Sequence, residues 1–174
     1  MKFNRIAILA ILAILTVVLA GSASAFDLGF LSGGSSEPQE VTVGGIDFLI
    51  PAGLNENEDY KMVDEKSNTS GVDYYISSAG FENDAGDKAV YILVGDYGEY
   101  NVTDSIIEYV LDDMDYEKKT INGHDGYLVQ ESSSSGSSLM AVEEPIYMFV
   151  YEENGDLVFL GATDESYFSD MIIE

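Results

Sequence analysis

The chain has 174 residues, no cysteine and a single histidine, and its 32 acidic against seven basic residues give a formal charge of −25. Disulfides, thiol catalysis and cysteine-ligated metals are thereby excluded. Nucleic acid, bound through Lys and Arg against phosphate, would be repelled; solubility through mutual repulsion is the plain consequence of such acidity, and cationic partners or divalent ions stay open.

Lys2 and Arg5 precede Ile6–Ala20, an uncharged apolar run, and Gly21–Ala25 supplies small residues with Ala23-x-Ala25 as a cleavage site. This is the pattern of a secretory signal peptide over residues 1–25. A membrane span needs about 20 apolar residues, so cleavage near Ala25 is preferred to an uncleaved anchor. The product would be secreted or held at the cell surface, with membrane contact only through an uncleaved signal segment. The 149 residues that follow the first 25 hold five lysines against all 32 acids, a charge of −27, and no arginine. A domain near 150 residues buries roughly 70% of its unfolded surface, so one core without covalent staples suffices. Residues 26–39 read as a flexible Gly/Ser-rich tether, although Phe26, Leu28, Phe30 and Leu31 are apolar for one. Residues 40–174 form the globular domain.

Within that domain Val41–Val43, Gly44-Gly45 and Ile46–Ile50 predict a hairpin with a two-residue turn, closed by Pro51. Leu54–Ser70, rich in Asn, Asp, Glu and Ser, reads as a loop. Gly71–Ile76 predicts a modest strand and Gly80–Lys88 a polar connection. Ala89–Val94 is a solid apolar run expected at the sheet centre. The period then changes: Ile106, Ile107, Val110, Leu111 and Met114 share one helical face over Asn101–Met114. Thr103 or Asp104 can cap this helix, and Ser105-x-x-Glu108 resembles a capping box. Asp112, Asp113 and Asp115 oppose the dipole at its far end and predict an early stop. Glu117–Ile121 is a weak strand, Asn122–Gly126 a turn, and Tyr127–Gln130 the strand that pairs back. Ser132–Ser138 is a low-complexity exposed loop. Ile146–Tyr151 and Leu157–Leu160, either side of Asn154-Gly155, predict a central hairpin buried on both faces. Thr163 or Asp164 then caps a short final helix with Phe168/Ile172 and Tyr167/Met171 at i, i+4. The fold class is α+β: one antiparallel sheet of hairpins packed against a mid-chain helix and a short C-terminal helix, after an N-terminal signal helix.

Val43-Gly44-Gly45-Ile46-x-Phe48-x-Ile50-Pro51-x-Gly53 resembles the start of the photosystem II P-subunit-like fold, an α/β sandwich. There a first hairpin ends in Phe-x-Ile-Pro-x-Gly, and a mid-chain helix, an antiparallel meander and a C-terminal helix follow. The likeness covers roughly residues 40–173. The whole chain is also similar to small exported proteins of unknown function from methanogenic archaea, through its signal, Gly/Ser tether, Phe-x-Ile-Pro and late Tyr-x-x-Asn-Gly turn. That similarity implies location and fold and brings no catalytic residue with it.

Chemistry is sparse. His124 is the one residue a Ser-His-Asp triad could use, but no Gly-x-Ser-x-Gly elbow accompanies it, and it reads as a turn residue. A zinc site would need carboxylates for its remaining ligands. Asn55-x-Asn57-x-Asp59 starts like an EF-hand loop, yet Tyr60 stands where Gly is required and Lys66 where Glu is. Asn83-Asp84-x-x-Asp87 and Asp112-Asp113-x-Asp115 read as solvated acidic loops or weak calcium ligands. Paired carboxylates could hydrolyse glycosides, but among 32 acids any spacing occurs. No phosphate-cradling loop is present, and no cofactor is called for. Of the 12 tyrosines, Tyr97 and Tyr100 in the Gly95–Asn101 loop are the candidate ligand contacts. Asn68-Thr69-Ser70 and Asn101-Val102-Thr103 are candidate glycosylation sites in predicted loops. The expectation is a non-catalytic domain outside the cell or in its envelope, binding a protein, glycan or cation. A carboxylate-based extracellular hydrolase and an envelope-complex assembly factor are the alternatives.

Overall fold

A computed structural model of the chain describes residues 35–69, 72–111, 114–131 and 146–173. The signal, the tether up to residue 34 and the Ser132–Ser138 expectation lie outside these residues, as does the Asp112-Asp113 pair; the described end of the tether is held to the domain, since the Ser35 carbonyl accepts from Gly53 N–H at 2.8 Å and Gln39 already pairs with Ile50 in a strand. Nine strands and two short helices follow in order: β1 (Gln39–Val43), β2 (Ile46–Ile50), β3 (Asn55–Thr69), β4 (Val72–Glu82), β5 (Ala89–Asp96), α1 (Asp104–Val110), β6 (Tyr116–Ile121), β7 (His124–Glu131), β8 (Ile146–Glu153), β9 (Asp156–Ala162) and α2 (Tyr167–Met171).

The single sheet that the sequence predicts is instead two. Seven strands pair antiparallel in the order β3-β4-β5-β9-β8-β7-β6, while β1 and β2 form a separate hairpin. The hairpin packs on one face of the large sheet because it has its own apolar side to bury: Phe48 and Ile50 are fully enclosed, with Val43 and Ile46 beside them.

The solid apolar runs of the central strands are explained by burial on both faces. One cross-strand row runs Ala79, Ile92, Leu160, Phe149, Leu128 over five neighbouring strands. It belongs to the core that includes the β1–β2 hairpin and α2. The next row, Ser78, Leu93, Phe159, Val150, Tyr127, points the other way. Apart from Ser78, it joins the core under α1, with Ile106, Ile107 and Leu111. Successive strand residues face opposite sides, so a strand apolar at every position demands a cover on each side.

Turn chemistry follows the expected rules. Gly44-Gly45, Asn122-Gly123 and Asn154-Gly155 all have positive φ at both positions, the requirement of the two-residue turn that matches strand twist. The turn predicted over Asn122–Gly126 is therefore only two residues long, and His124–Gly126 already belong to β7. Gly126 is required there: a Cβ would sit 2.6 Å from the Phe149 ring.

The largest correction is β3. The stretch read as a loop is a 15-residue edge strand, paired to β4 from Asn55↔Glu82 to Thr69↔Val72. Its charged, exposed composition is that of a strand protected against pairing with other chains. Likewise β4 runs on through Gly80–Glu82, leaving a shorter connection at 83–88. Asn83 holds that connection: its Oδ1 accepts from Asp87 and Lys88 N–H, and its Nδ2 donates to Asp87.

α1 ends at Val110, as the adverse acids predict. Its start lacks the predicted box. Thr103 occupies the N-cap position without a side-chain bond, and Glu108 instead pairs with Lys118 at 2.5 Å. At α2, Asp164 accepts from both the N–H and the hydroxyl of Ser166. Asn122 Nδ2 donates to the carbonyls of Ser169 and Ile172, each at 2.8 Å, and so ties the β6–β7 turn to the last helix.

α2 has five residues, too few to be stable alone; packing must hold it. Phe168, with no exposed surface, lies 6.0 Å from the Phe149 ring. Phe168→Ala is expected to cost about 3–5 kcal/mol, read as a lower urea midpoint with unchanged slope.

Candidate functional site

The cover on the hairpin face is incomplete. Across that face α2 contacts β2 through the bridge Phe48↔Ile172. β2 pairs with β1, and β1 lies over β4 and β5. Beyond β1 a cleft of about 220 Å³ opens. Val41–Gly45 form its wall, Ser77, Ala79 and Phe81 its floor, and Glu56 with Lys61–Asp64 its far side.

Local distortion of β3 shapes this cleft. The β3–β4 register shifts twice, between Asn57 and Met62 and between Met62 and Glu65. Bulges of this kind turn an edge strand and re-aim its side chains. Asp64 sits at φ +47°, uncommon for a residue with a side chain. The buried Ser77 fixes it from beneath: Asp64 N–H donates to Ser77 Oγ at 3.0 Å, and that hydroxyl donates to Asp64 Oδ1 at 3.0 Å. The outcome is Val63 at the cleft mouth, 71% exposed. Lys61 pairs with Glu56 at 3.0 Å and Glu58 at 3.5 Å. Its pKa is raised, first by the hydrogen bond to Glu56.

None of these residues is a candidate from sequence alone, because Leu54–Ser70 reads there as a loop. The available signal was Tyr60-x-Met62, two half-buried side chains alternating inside a polar run. The EF-hand-like asparagines lie on the same strand. Asn55 and Asn57 reach across to Asp84 and Glu82, each at 3.1 Å, rather than converging on a cation. Among the described residues no three His, Asp or Glu side chains come together in a metal-holding group.

The tyrosine pair divides. Tyr97 is 2% exposed and stacks on Tyr74 at 5.7 Å, so it is core and not a surface contact. Its loop turns inward because Tyr100 N–H bonds back to the Tyr97 carbonyl and Asp96 Oδ1 accepts from Gly98. Burial pushes the Tyr97 hydroxyl pKa up, and that hydroxyl meets no partner among the described residues. Tyr100 is 41% exposed and stays available.

The sequons also differ. Asn101 is exposed in a loop as expected, its side chain resting against Gly155, where a Cβ would lie 2.8 Å from Oδ1. Asn68 is not in a loop. It belongs to β3, and its Nδ2 donates to Asp73 at 2.6 Å. His124 stands 5.0 Å from the Tyr151 ring, half-buried on β7.

A second electrostatic feature lies at the β8–β9 turn. Burial, then Asp96 and Glu152, push the pKa of Asp156 up to about 6. Gly155 N–H donates to Glu152 at 2.6 Å, and Val102 N–H to the Gly155 carbonyl at 2.8 Å.

Comparison with protein-family models, with curated proteins and with solved structures finds no match to this chain.

A carboxyl whose pKa is higher folded than unfolded contributes stability that is complete below its unfolded value and is lost as pH rises through about 6. Asp156→Asn should therefore raise the melting midpoint at pH 7 relative to the parent, with the difference closing toward pH 4. Melts across that range check it. Tyr97→Phe should raise stability by about 1 kcal/mol by removing a buried hydroxyl without a partner, measured by urea unfolding.

Proposed function

We propose that the protein is a non-catalytic binding module, exported and kept dispersed by its charge, whose recognition surface is the cleft between β1 and the bulged segment of β3. The observation that carries this reading is the unfinished covering layer. Elsewhere on that face α2 and the hairpin enclose the apolar row of the sheet. At β3–β4 the cover stops, leaving Val41 and Val63 beside a shaped recess, while the Met62 side chain packs on the opposite core.

Size argues against an enzyme pocket. Small-molecule sites usually occupy roughly 300–1,000 Å³, whereas this cleft has about 220 Å³. A hydrolase would want two close acids with raised pKa in one deep pocket. Asp156, the acid pushed up to about 6, belongs to the β8–β9 turn and is not part of the cleft lining. Export is supported by the signal-like pattern of residues 1–25.

Titrating peptides, soluble glycans and calcium into isotope-labelled protein should move the amide resonances of Val41–Gly45, Met62–Asp64 and Ser77–Ala79. Shifts gathered instead around Tyr100 or around Asp96 and Asp156 would overturn the assignment of the surface.

A further inference from the structure

The cleft is bordered by an unused strand edge. In a hairpin with a two-residue turn, the residues flanking the turn exchange hydrogen bonds and the next pair does not. Val43↔Ile46 is the flanking pair, so Thr42, opposite Asp47, and Glu40, opposite Leu49, turn their N–H and C=O away from β2. Among the described residues no backbone group pairs with them on that outer side. Two free edges border the cleft, β1 and β3. The β1 ladder is regular from Gln39 to Val43, whereas β3 is interrupted twice. Bulges discourage strand addition, so β1 is the edge able to accept one.

Charge restricts what can be added. β3 carries five acids against two lysines, and both lysines are already paired, Lys61 with Glu56 and Glu58, Lys66 with Asp73 at 2.6 Å. Lys118 and Lys119 are paired as well, with Glu108 and Glu165. The cleft lining itself holds Glu56 and Asp64 against Lys61 alone, which Glu56 already pairs, so its uncompensated charge is negative. A second copy of so acidic a chain would be repelled; a cationic segment would be drawn in. Resting on the cleft being the recognition surface, we infer that its occupant is an extended peptide segment of a partner protein bearing lysine or arginine. It lies beside β1 as a third strand of the hairpin sheet. Main-chain bonds go to Glu40 and Thr42. Alternate side chains enter the recess over Ala79 and Phe81, and the intervening basic ones meet the acids of β3.

The probe is a capped octapeptide alternating Lys and Val, titrated into the full chain at low and at physiological salt. Binding should weaken with salt, as expected when charges screen over about 8 Å at physiological ionic strength. It should also fall about tenfold for the same peptide N-methylated at alternate residues, which forfeits strand hydrogen bonds, and vanish for the Glu/Val peptide. Val63→Lys, at an exposed position that costs the fold little, should weaken binding severalfold, and Lys61→Met should tighten it. Equal binding of the methylated peptide, or indifference to Val63→Lys, overturns the inference. So does concentration-dependent self-association lost in Val63→Lys, which would make a second copy the occupant. A tenfold gain in peptide affinity on Leu28→Asp with Phe30→Asp overturns it too, by making the chain's own residues 26–31 the occupant. A glycan that moves the cleft resonances where the peptide does not would leave the binding surface standing and remove only the peptide.

Discussion

Two apolar rows on opposite sides of the same five strands set the terms for everything else in this molecule. Ile92, Leu160 and Phe149 look one way; Leu93, Phe159 and Val150 look the other. A sheet so built leaves neither side for water, and each uncovered leucine or phenylalanine forgoes roughly 1.5–3 kcal/mol of burial. The helices and the first hairpin are what the chain supplies as covers. Their brevity is tolerable because packing holds them. Neither helix has a side-chain N-cap bond, and each carries an acid in its first turn, Asp104 and Asp170.

The covers do not extend equally. On the hairpin side, α2, β2 and β1 succeed one another and then stop short of the edge strand. β3 does not need the same shelter, since most of its side chains are exposed and polar. The cleft thus arises where an apolar sheet gives way to a hydrophilic border. Its contour is fixed by Ser77, whose buried hydroxyl gives and receives a hydrogen bond with Asp64 and so stabilises a backbone conformation that costs energy of its own.

Much of this architecture was legible in the residues. Two of the two-residue turns declare themselves as Gly44-Gly45 and Asn154-Gly155 between strand-forming runs, whereas the third, Asn122-Gly123, is legible as a turn but not in its length; the unbroken apolar stretches at 146–151 and 157–160 announce strands buried on both sides, and 89–94 a strand at the sheet centre. The edge strand does not, because its periodicity is carried by only Tyr60 and Met62 among many charges, and bulges break even that rhythm. Nor could composition tell that the first hairpin stacks on the main sheet instead of joining it. Register between distant segments decides that, and local pattern does not encode it. The cleft is invisible in the sequence for the same reason: it is made by β1, β3 and β4, and the residues of β3 have the composition of an irregular segment. Tyr97 misled because a tyrosine in a polar loop has the same signature whether its ring turns outward or, as here, stacks on Tyr74 beneath the sheet.

The pairing of β5 with β9 joins residues far apart in the chain, from Val90↔Ala162 to Gly95↔Leu157. Every other pairing in the large sheet is between described strands that follow one another in the chain. This one seam therefore carries the conformational cost of closing the long intervening segment, a cost that rises with loop length and slows assembly. A polypeptide made from its N-terminus onward can zip β3, β4 and β5 early. It must then wait, with the inner flank of β5 unsatisfied, until Leu157–Ala162 are free to pair. For a molecule with so few cations and so many like charges, electrostatic dispersal during that interval keeps the waiting strand from finding the wrong neighbour.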